Sequence, residues 1–304
     1  MFKRILVPLD GSALAESVLP FSCYLAEQFR ATLILFHVIE KAAPSEIHGQ
    51  HHLREVNEAR AYLDRIAQKY SSPEVTISQD VHEVQEDGVA QTIRDHVREL
   101  QADLVVLCAH GHGGVRDLLF GSIAQQVIRQ VSIPVLFIRP DYVKDSGGKP
   151  ITHILLPLDG SKSHEAAIPV SAEIAKQCQA QMRLMTVIPT PETLPGKEAI
   201  AGRFYPNAKT LSLDVSAQQA GNYLSAMATE LAHQGIQVSK VVSRGDVLPK
   251  VMETIQSDGI DLVIMATHGQ FRFDAHWEGS LTPRLLSKAP VPVLLVPVFD
   301  TKSS

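Results

Sequence analysis

Cysteine is scarce in this chain, and what little there is excludes two classes of protein. Cys23, Cys108 and Cys178 are an odd number with no C-x-x-C pair among them, so neither a disulfide framework nor a zinc site is indicated, and a reducing compartment fits best. No stretch approaches the roughly 18 unbroken apolar residues that a membrane helix requires. The apolar run after Met1-Phe2-Lys3-Arg4 is cut by Pro8 and Asp10, which is not the build of a signal peptide; a cytoplasmic protein with no membrane partner is expected. An excess of one charge is also missing. Thirty-three acidic against 28 basic residues leave −5 at pH 7, too mild and too mixed for a phosphate-backbone partner, so no nucleic acid is expected. The P-loop pattern G-x4-G-K-[ST] does not occur, which excludes a P-loop ATPase. Ser146-Gly147-Gly148-Lys149 precedes a strand and runs into Pro150, and reads as linker.

Repetition, in contrast, is abundant. Ile5-Leu6-Val7-Pro8-Leu9-Asp10-Gly11-Ser12 returns as Ile154-Leu155-Leu156-Pro157-Leu158-Asp159-Gly160-Ser161, with one difference in eight positions, at an offset of 149. Asp103-Leu104-Val105-Val106 returns as Asp261-Leu262-Val263-Ile264, His110-Gly111 as His268-Gly269, and Gly121-Ser122 as Gly279-Ser280, all at an offset of 158. The second copy has therefore gained nine residues. They fall most naturally between Pro189 and Leu213, where proline and glycine suggest a lid or a surface loop. The expected organisation is one unit over 1–142, a polar linker over 143–150 and a second unit over 151–304.

Within each copy, short aliphatic runs alternate with longer stretches of helical period, the pattern of βαβ units around a parallel sheet. In the first copy the strands are expected at about 3–9, 32–38, 75–81, 104–109 and 133–139, with four helices between them. Leu104-Val105-Val106-Leu107 and Val135-Leu136-Phe137-Ile138 are apolar on both faces, as strands covered by helices on each side must be. The fold class is α/β: two Rossmann-like five-stranded parallel sheets with helices on both faces.

In such sheets ligands bind beyond the carboxyl ends of the strands, where the chain order reverses. The first strand ends in Pro8-Leu9-Asp10-Gly11-Ser12. The fourth is followed by His110-Gly111, nine residues, and Gly121-Ser122 opening a helix. Glycine admits close backbone approach, and free N–H groups at a helix start favour phosphate; Ser122 either caps that helix or donates to a ligand oxygen. His48, His51 and His52 lack partners at metal-ligand spacing and read as a solvated helix edge. His110 and His268 recur in both copies and are read as loop hydrogen-bonders.

The pairing of P-x-D-G-S with a later H-G-x9-G-S and a terminal P-V-L strand resembles the universal stress protein family, in a tandem two-domain form covering nearly the whole chain. The resemblance implies sheets in the order 3-2-1-4-5 and ATP binding through G-x-x-G-x9-G-S/T. It puts Asp10 and Val38 beside adenine, Pro8 near the ribose, and Gly111, Gly121 and Ser122 on the phosphates. The matching residues of the second copy are Pro157, Asp159, Val187, Gly269, Gly279 and Ser280. It also implies that the fifth strands, Ile133 to Arg139 and Val291 to Pro297, bring the copies together as an intramolecular pseudo-dimer, with two chains able to associate further.

Both copies depart from that motif. Its first glycine is Cys108 in one and Ala266 in the other, a bulkier intrusion in the first copy than in the second. Between the matched glycines the first copy has His112-Gly113-Gly114-Val115-Arg116, whereas the second has Phe271, Asp274, Trp277 and Glu278, so phosphate is repelled less by the first copy. The second copy keeps Gly245-Asp246 ahead of its third helix where the first has Glu86-Asp87. A thiol at Cys108 is read as apolar filler rather than a redox centre. The resemblance implies an ATP-binding stress-response regulator or chaperone-like factor, with or without Mg2+. The alternatives are a slow Mg2+-dependent ATPase or nucleotidyl-transfer enzyme, with Asp10 or Asp159 positioning the metal, and a scaffold whose degenerate sites hold nothing.

Overall fold

A computed structural model describes residues 1–40, 46–47, 49–83, 88–109, 122–142, 150–194, 206–268 and 281–298. The first half contains β1 (Arg4–Pro8), α1 (Ala13–Glu16), α2 (Leu19–Phe29), β2 (Thr32–Ile39), a small hairpin of β3 (Glu46–Ile47) and β4 (Gln50–His51), α3 (Val56–Tyr70), β5 (Thr76–Glu83), α4 (Val89–Glu99), β6 (Leu104–Cys108), α5 (Ser122–Gln130) and β7 (Val135–Ile138). The second half contains β8 (His153–Pro157), a 3-10 turn (His164–Ala166), α6 (Ala167–Cys178), β9 (Gln181–Ile188), α7 (Pro206–His233), β10 (Val238–Arg244), α8 (Val247–Ser257), β11 (Leu262–His268), α9 (Leu281–Lys288) and β12 (Val293–Val298).

The strand order is β5-β2-β1-β6-β7 in the first half and β10-β9-β8-β11-β12 in the second, and the neighbours within each of these two runs pair parallel. Each half therefore has the expected 3-2-1-4-5 order. The halves do not close as separate sheets. β7 and β12 pair antiparallel, Leu136 opposite Leu294 and Phe137 opposite Val293, and make one sheet of ten strands. At this seam Leu136 and Leu294 are fully buried, and burying each such side chain is worth about 1.5–3 kcal/mol.

Alternation along the strands sorts the core onto two faces. Ile5, Val7, Leu33, Leu35, Val106, Ile154 and Leu156 pack on the face carrying α2, α3 and α6. Leu6, Ile34, Phe36, Val105, Leu155 and Val263 pack on the face carrying α4, α5, α8 and α9. Both clusters run through both halves, so the sheet has a shared core on each side. After β1 and β8 the chain turns through Gly11 at φ 88 and Gly160 at φ 81, left-handed values that glycine adopts without steric cost.

Register splits the nine-residue difference into two events. Ile5 aligns with Leu33 and Ile77 across β1, β2 and β5, and Ile154 with Met182 and Val238 across β8, β9 and β10. Ile77 and Val238 are thus 161 apart where Ile5 and Ile154 are 149 apart, a gain of twelve, and the offset of 158 between Leu104 and Leu262 returns three. Part of the gain is helix: α7 has 28 residues against 15 in α3. The expected lid or loop up to Leu213 is therefore corrected from Pro206 onward, where the chain is helical; 195–205 lie outside the described residues. The match at the third helix is corrected too. Asp246 caps α8 by accepting from Leu248 N, and the residue in that position of α4 is Gly88, not Asp87.

Candidate functional site

Pro8 ends β1, Val38 lies one residue from the end of β2 and Cys108 ends β6. These strands are adjacent, with β1 between the other two, so the predicted residues converge at the point where chain order reverses. Asp10 sits immediately beyond. Its Oδ1 accepts the Ser12 N–H at 2.9 Å, while its other oxygen has no hydrogen-bond partner among the described residues. Ser12 is fully buried, and its hydroxyl accepts the Ala15 N–H at 3.1 Å, capping α1. Ser122 is exposed at the start of α5. Gly111 and Gly121 lie outside the described residues, as do Gly269, Gly279 and Ser280.

A strap crosses the first half's turn. Gln50 of the β3–β4 hairpin accepts the Ala13 N–H at 2.7 Å. The His37 imidazole of β2 stands between two backbone carbonyls, with Nδ1 2.7 Å from Leu9 O and Nε2 3.3 Å from Leu53 O. Burial holds the His37 pKa below its ordinary 6.5, against the pull of those two carbonyls. A neutral ring has one N–H and serves only one of them. His52 is buried rather than solvated, and His51 belongs to a strand, which corrects the reading of this segment as a helix edge; His48 lies outside the described residues. In the second half the His37 position is Thr186, whose hydroxyl donates to Leu158 O at 2.8 Å.

Cys108 is tucked on the α2–α3 face, its Sγ 3.6 Å from the Ser17 hydroxyl. Burial pushes its thiol up to about 12, with the Ser17 contact pulling the other way, which agrees with filler rather than a reactive thiolate. The positions matching Cys108 and Ser17 are Ala266 and Ala166, so this contact has no counterpart in the second half.

The second half places Pro157, Val187 and Ala266 on the corresponding strands, but its turn is wired differently. Asp159 Oδ1 accepts the Ser161 N–H at 2.9 Å, as Asp10 does from Ser12, and its Oδ2 is 2.7 Å from His164 Nδ1. Burial raises the Asp159 pKa, but hydrogen bonds from Ser161 and His164 outweigh it and leave the carboxyl below 3.8. Ser161 caps no helix; its hydroxyl lies 3.2 Å from His164 Nδ1 and 3.0 Å from Ser163 Oγ.

Sequence reading missed a tyrosine–glutamate pair beside each aspartate. Tyr223 donates to Glu165 Oε1 at 3.2 Å. The matching pair is Tyr62 and Glu16, and there the buried hydroxyl has no partner in hydrogen-bond geometry among the described residues, although burial and the nearby Glu16 both raise the phenol's pKa. The signal was the recurrence of Glu and Tyr at offsets of 149 and 161, visible only once register had fixed the second offset. Among the described residues no group of His, Cys, Asp and Glu is arranged to hold a metal, and no helix is long and apolar enough to cross a membrane.

A family model described as "Universal stress protein family" matches residues 1–139 and again 150–297. The chain belongs to the universal stress protein family. A universal stress protein of Synechocystis is 30% identical over 154 residues, 45% of this chain and 98% of its own length. One of Bacillus subtilis is 26% identical over 153 residues, 46% of this chain and all of its own. Each relative thus corresponds to about one half of the present chain. Among solved structures, a universal stress protein from Archaeoglobus fulgidus shares the fold across both halves, with TM-score 0.69, 15% identity, and coverage of 97% of this chain and 98% of its own.

Proposed function

We propose that this universal stress protein is a cytoplasmic stress-response regulator or chaperone-like factor that takes up ATP at the carboxyl ends of β1, β2 and β6 in its first half. The observation that carries this reading is the Asp10 carboxylate, which offers an oxygen uncommitted among the described residues at the point where strand order reverses, with Pro8 and Val38 on the neighbouring strand ends. A carboxylate oxygen accepts, and the exocyclic amine of adenine donates. The sulfur of Cys108, turned against Ser17, is consistent with room for a sugar despite the lost glycine. Arg116, where the second copy has Asp274, favours phosphate in the first. The residues fit an adenine nucleotide; no described cluster supports a resident Mg2+, so Mg2+ would arrive with the phosphates. ATP bound here would act as a conformational cue.

Replacement of the first motif glycine in both copies, by Cys108 and Ala266, favours a second reading, a scaffold that binds no nucleotide. Denaturing the purified protein, identifying any released nucleotide and titrating ATP calorimetrically with and without Mg2+ separates the two. One ATP per chain, bound more weakly in Asp10→Ala, is expected; no released nucleotide and no heat would leave the scaffold. Association of two chains belongs to the same reading, and a solution mass equal to one chain would remove it.

A further inference from the structure

We propose that His164 is an internal latch on the second half: it occupies the carboxylate that would otherwise receive adenine, so that a second, latent nucleotide site is held closed by one imidazole. This rests on the reading of Asp10 as the adenine acceptor. The two turns start from the same eight-residue motif and the same backbone hydrogen bond, Asp10 to Ser12 and Asp159 to Ser161, each at 2.9 Å. They differ in the three residues that follow, Ala13-Leu14-Ala15 in one and Lys162-Ser163-His164 in the other, and it is the third, Ala15 against His164, that meets the aspartate. Ala15 leaves the second oxygen of Asp10 without a partner among the described residues, and its N–H takes the cap from Ser12. In the second half both outcomes are reversed. His164 Nδ1 takes the second oxygen of Asp159 at 2.7 Å, and the Ser161 hydroxyl lies 3.2 Å from the same nitrogen and 3.0 Å from Ser163 Oγ.

The backbone differs as well. Glu16 N bonds to Ser12 O, closing an α turn, whereas His164 N bonds to Ser161 O, closing the tighter 3-10 turn. The tighter turn thus brings the His164 side chain onto the acceptor, while Ser163 and His164 together hold the hydroxyl that caps a helix in the first half. The contact is the one that an Nδ1–H donating to the carboxylate makes. Of the remaining site residues that are described, Pro157 ends β8, Val187 lies near the end of β9 and Ala266 lies on β11, a smaller side chain than Cys108. A ligand that needs the Asp159 oxygen binds only in the fraction of molecules with the latch open, and apparent affinity falls by that fraction.

The test is calorimetric titration of the full chain with ATP, comparing wild type with His164→Ala and His164→Ser, the latter in case the alanine variant folds poorly. Either variant is expected to bind one more ATP per chain than wild type, with the added site at least about tenfold tighter than any second event in wild type. The added site is expected to survive Asp10→Ala and to vanish in the His164→Ala/Asp159→Ala double variant. Stoichiometry unchanged by both His164 variants, or an added site indifferent to Asp159→Ala, would overturn the latch. The reading of the first half fails by a different result: a wild-type chain that binds no ATP, or one whose site binds as tightly in Asp10→Ala, whatever the His164 variants do.

Discussion

Among the described residues, the first half holds an aspartate with one oxygen uncommitted, a buried histidine facing two carbonyls and a tyrosine hydroxyl with no partner in hydrogen-bond geometry; the second half pairs or replaces each of them. Asp159 is paired with His164, Thr186 replaces His37 and donates to Leu158 O, and Tyr223 bonds Glu165. Meanwhile the strand order, the register between β1 and β2 and between β8 and β9, and the glycine turns at Gly11 and Gly160 are the same. Packing fixes the sheet, because a shifted strand would turn its apolar residues toward the wrong face. Nothing in the packing fixes what a side chain at a strand end does, so the halves diverge there.

The largest effect should come from breaking what the halves share. Leu294→Asp places a carboxylate at the buried seam opposite Leu136 and is expected to cost at least about 3 kcal/mol. Scanning calorimetry should then resolve two transitions where wild type shows one, and a single unshifted transition would mean that the seam does not couple the halves. Next is the aspartate itself. A hydrogen bond to a charged group contributes about 1.5–3 kcal/mol, so Asp10→Ala should weaken ATP binding roughly 10- to 100-fold while Asp159→Ala leaves it unchanged. Equal losses would erase the contrast between the two sites.

A smaller difference should separate the tyrosines. Tyr223→Phe gives up the bond to Glu165 and is expected to destabilise by about 1 kcal/mol, whereas Tyr62→Phe removes a buried hydroxyl with no partner in hydrogen-bond geometry among the described residues and should be neutral or stabilising. Urea midpoints of the two variants check the sign. The mildest effect concerns acid. With His37 held below its ordinary 6.5 in the fold, the unfolded chain binds the extra proton as pH falls below about 6.5, so stability is complete above that value, declines through it, and levels off beneath the folded pKa. His37→Thr, the second half's own solution, should flatten this part of the pH–stability curve; an unchanged slope would assign it elsewhere.

Much of the fold was legible because both of its signals are local and repeated. Runs such as Leu104-Val105-Val106-Leu107 announce buried strands, and the doubled P-x-D-G-S fixes where strands end. The long helix α7 was hidden because proline and glycine between Pro189 and Gly202 argue for loop, while the turns added beyond them carry their own helical sequence from Pro206. Of the site, the backbone positions were readable and the wiring was not. His164 lies five residues from Asp159, and no spacing rule says that it folds back on it; the 3-10 turn does that. The Glu16–Tyr62 and Glu165–Tyr223 pairs join a first turn to a distant helix, and the split insertion masks their equivalence until the strands are in register.

The antiparallel seam between β7 and β12 has a consequence for access. Strands of the two halves run in opposite directions across the ten-stranded sheet, so the ends at which Asp10 and Asp159 stand look out from opposite rims. No single small molecule bridges the two mouths, and a partner docked over one leaves the other uncovered. The chain thus presents two faces that can be addressed independently, and any message between them has to be carried by the sheet.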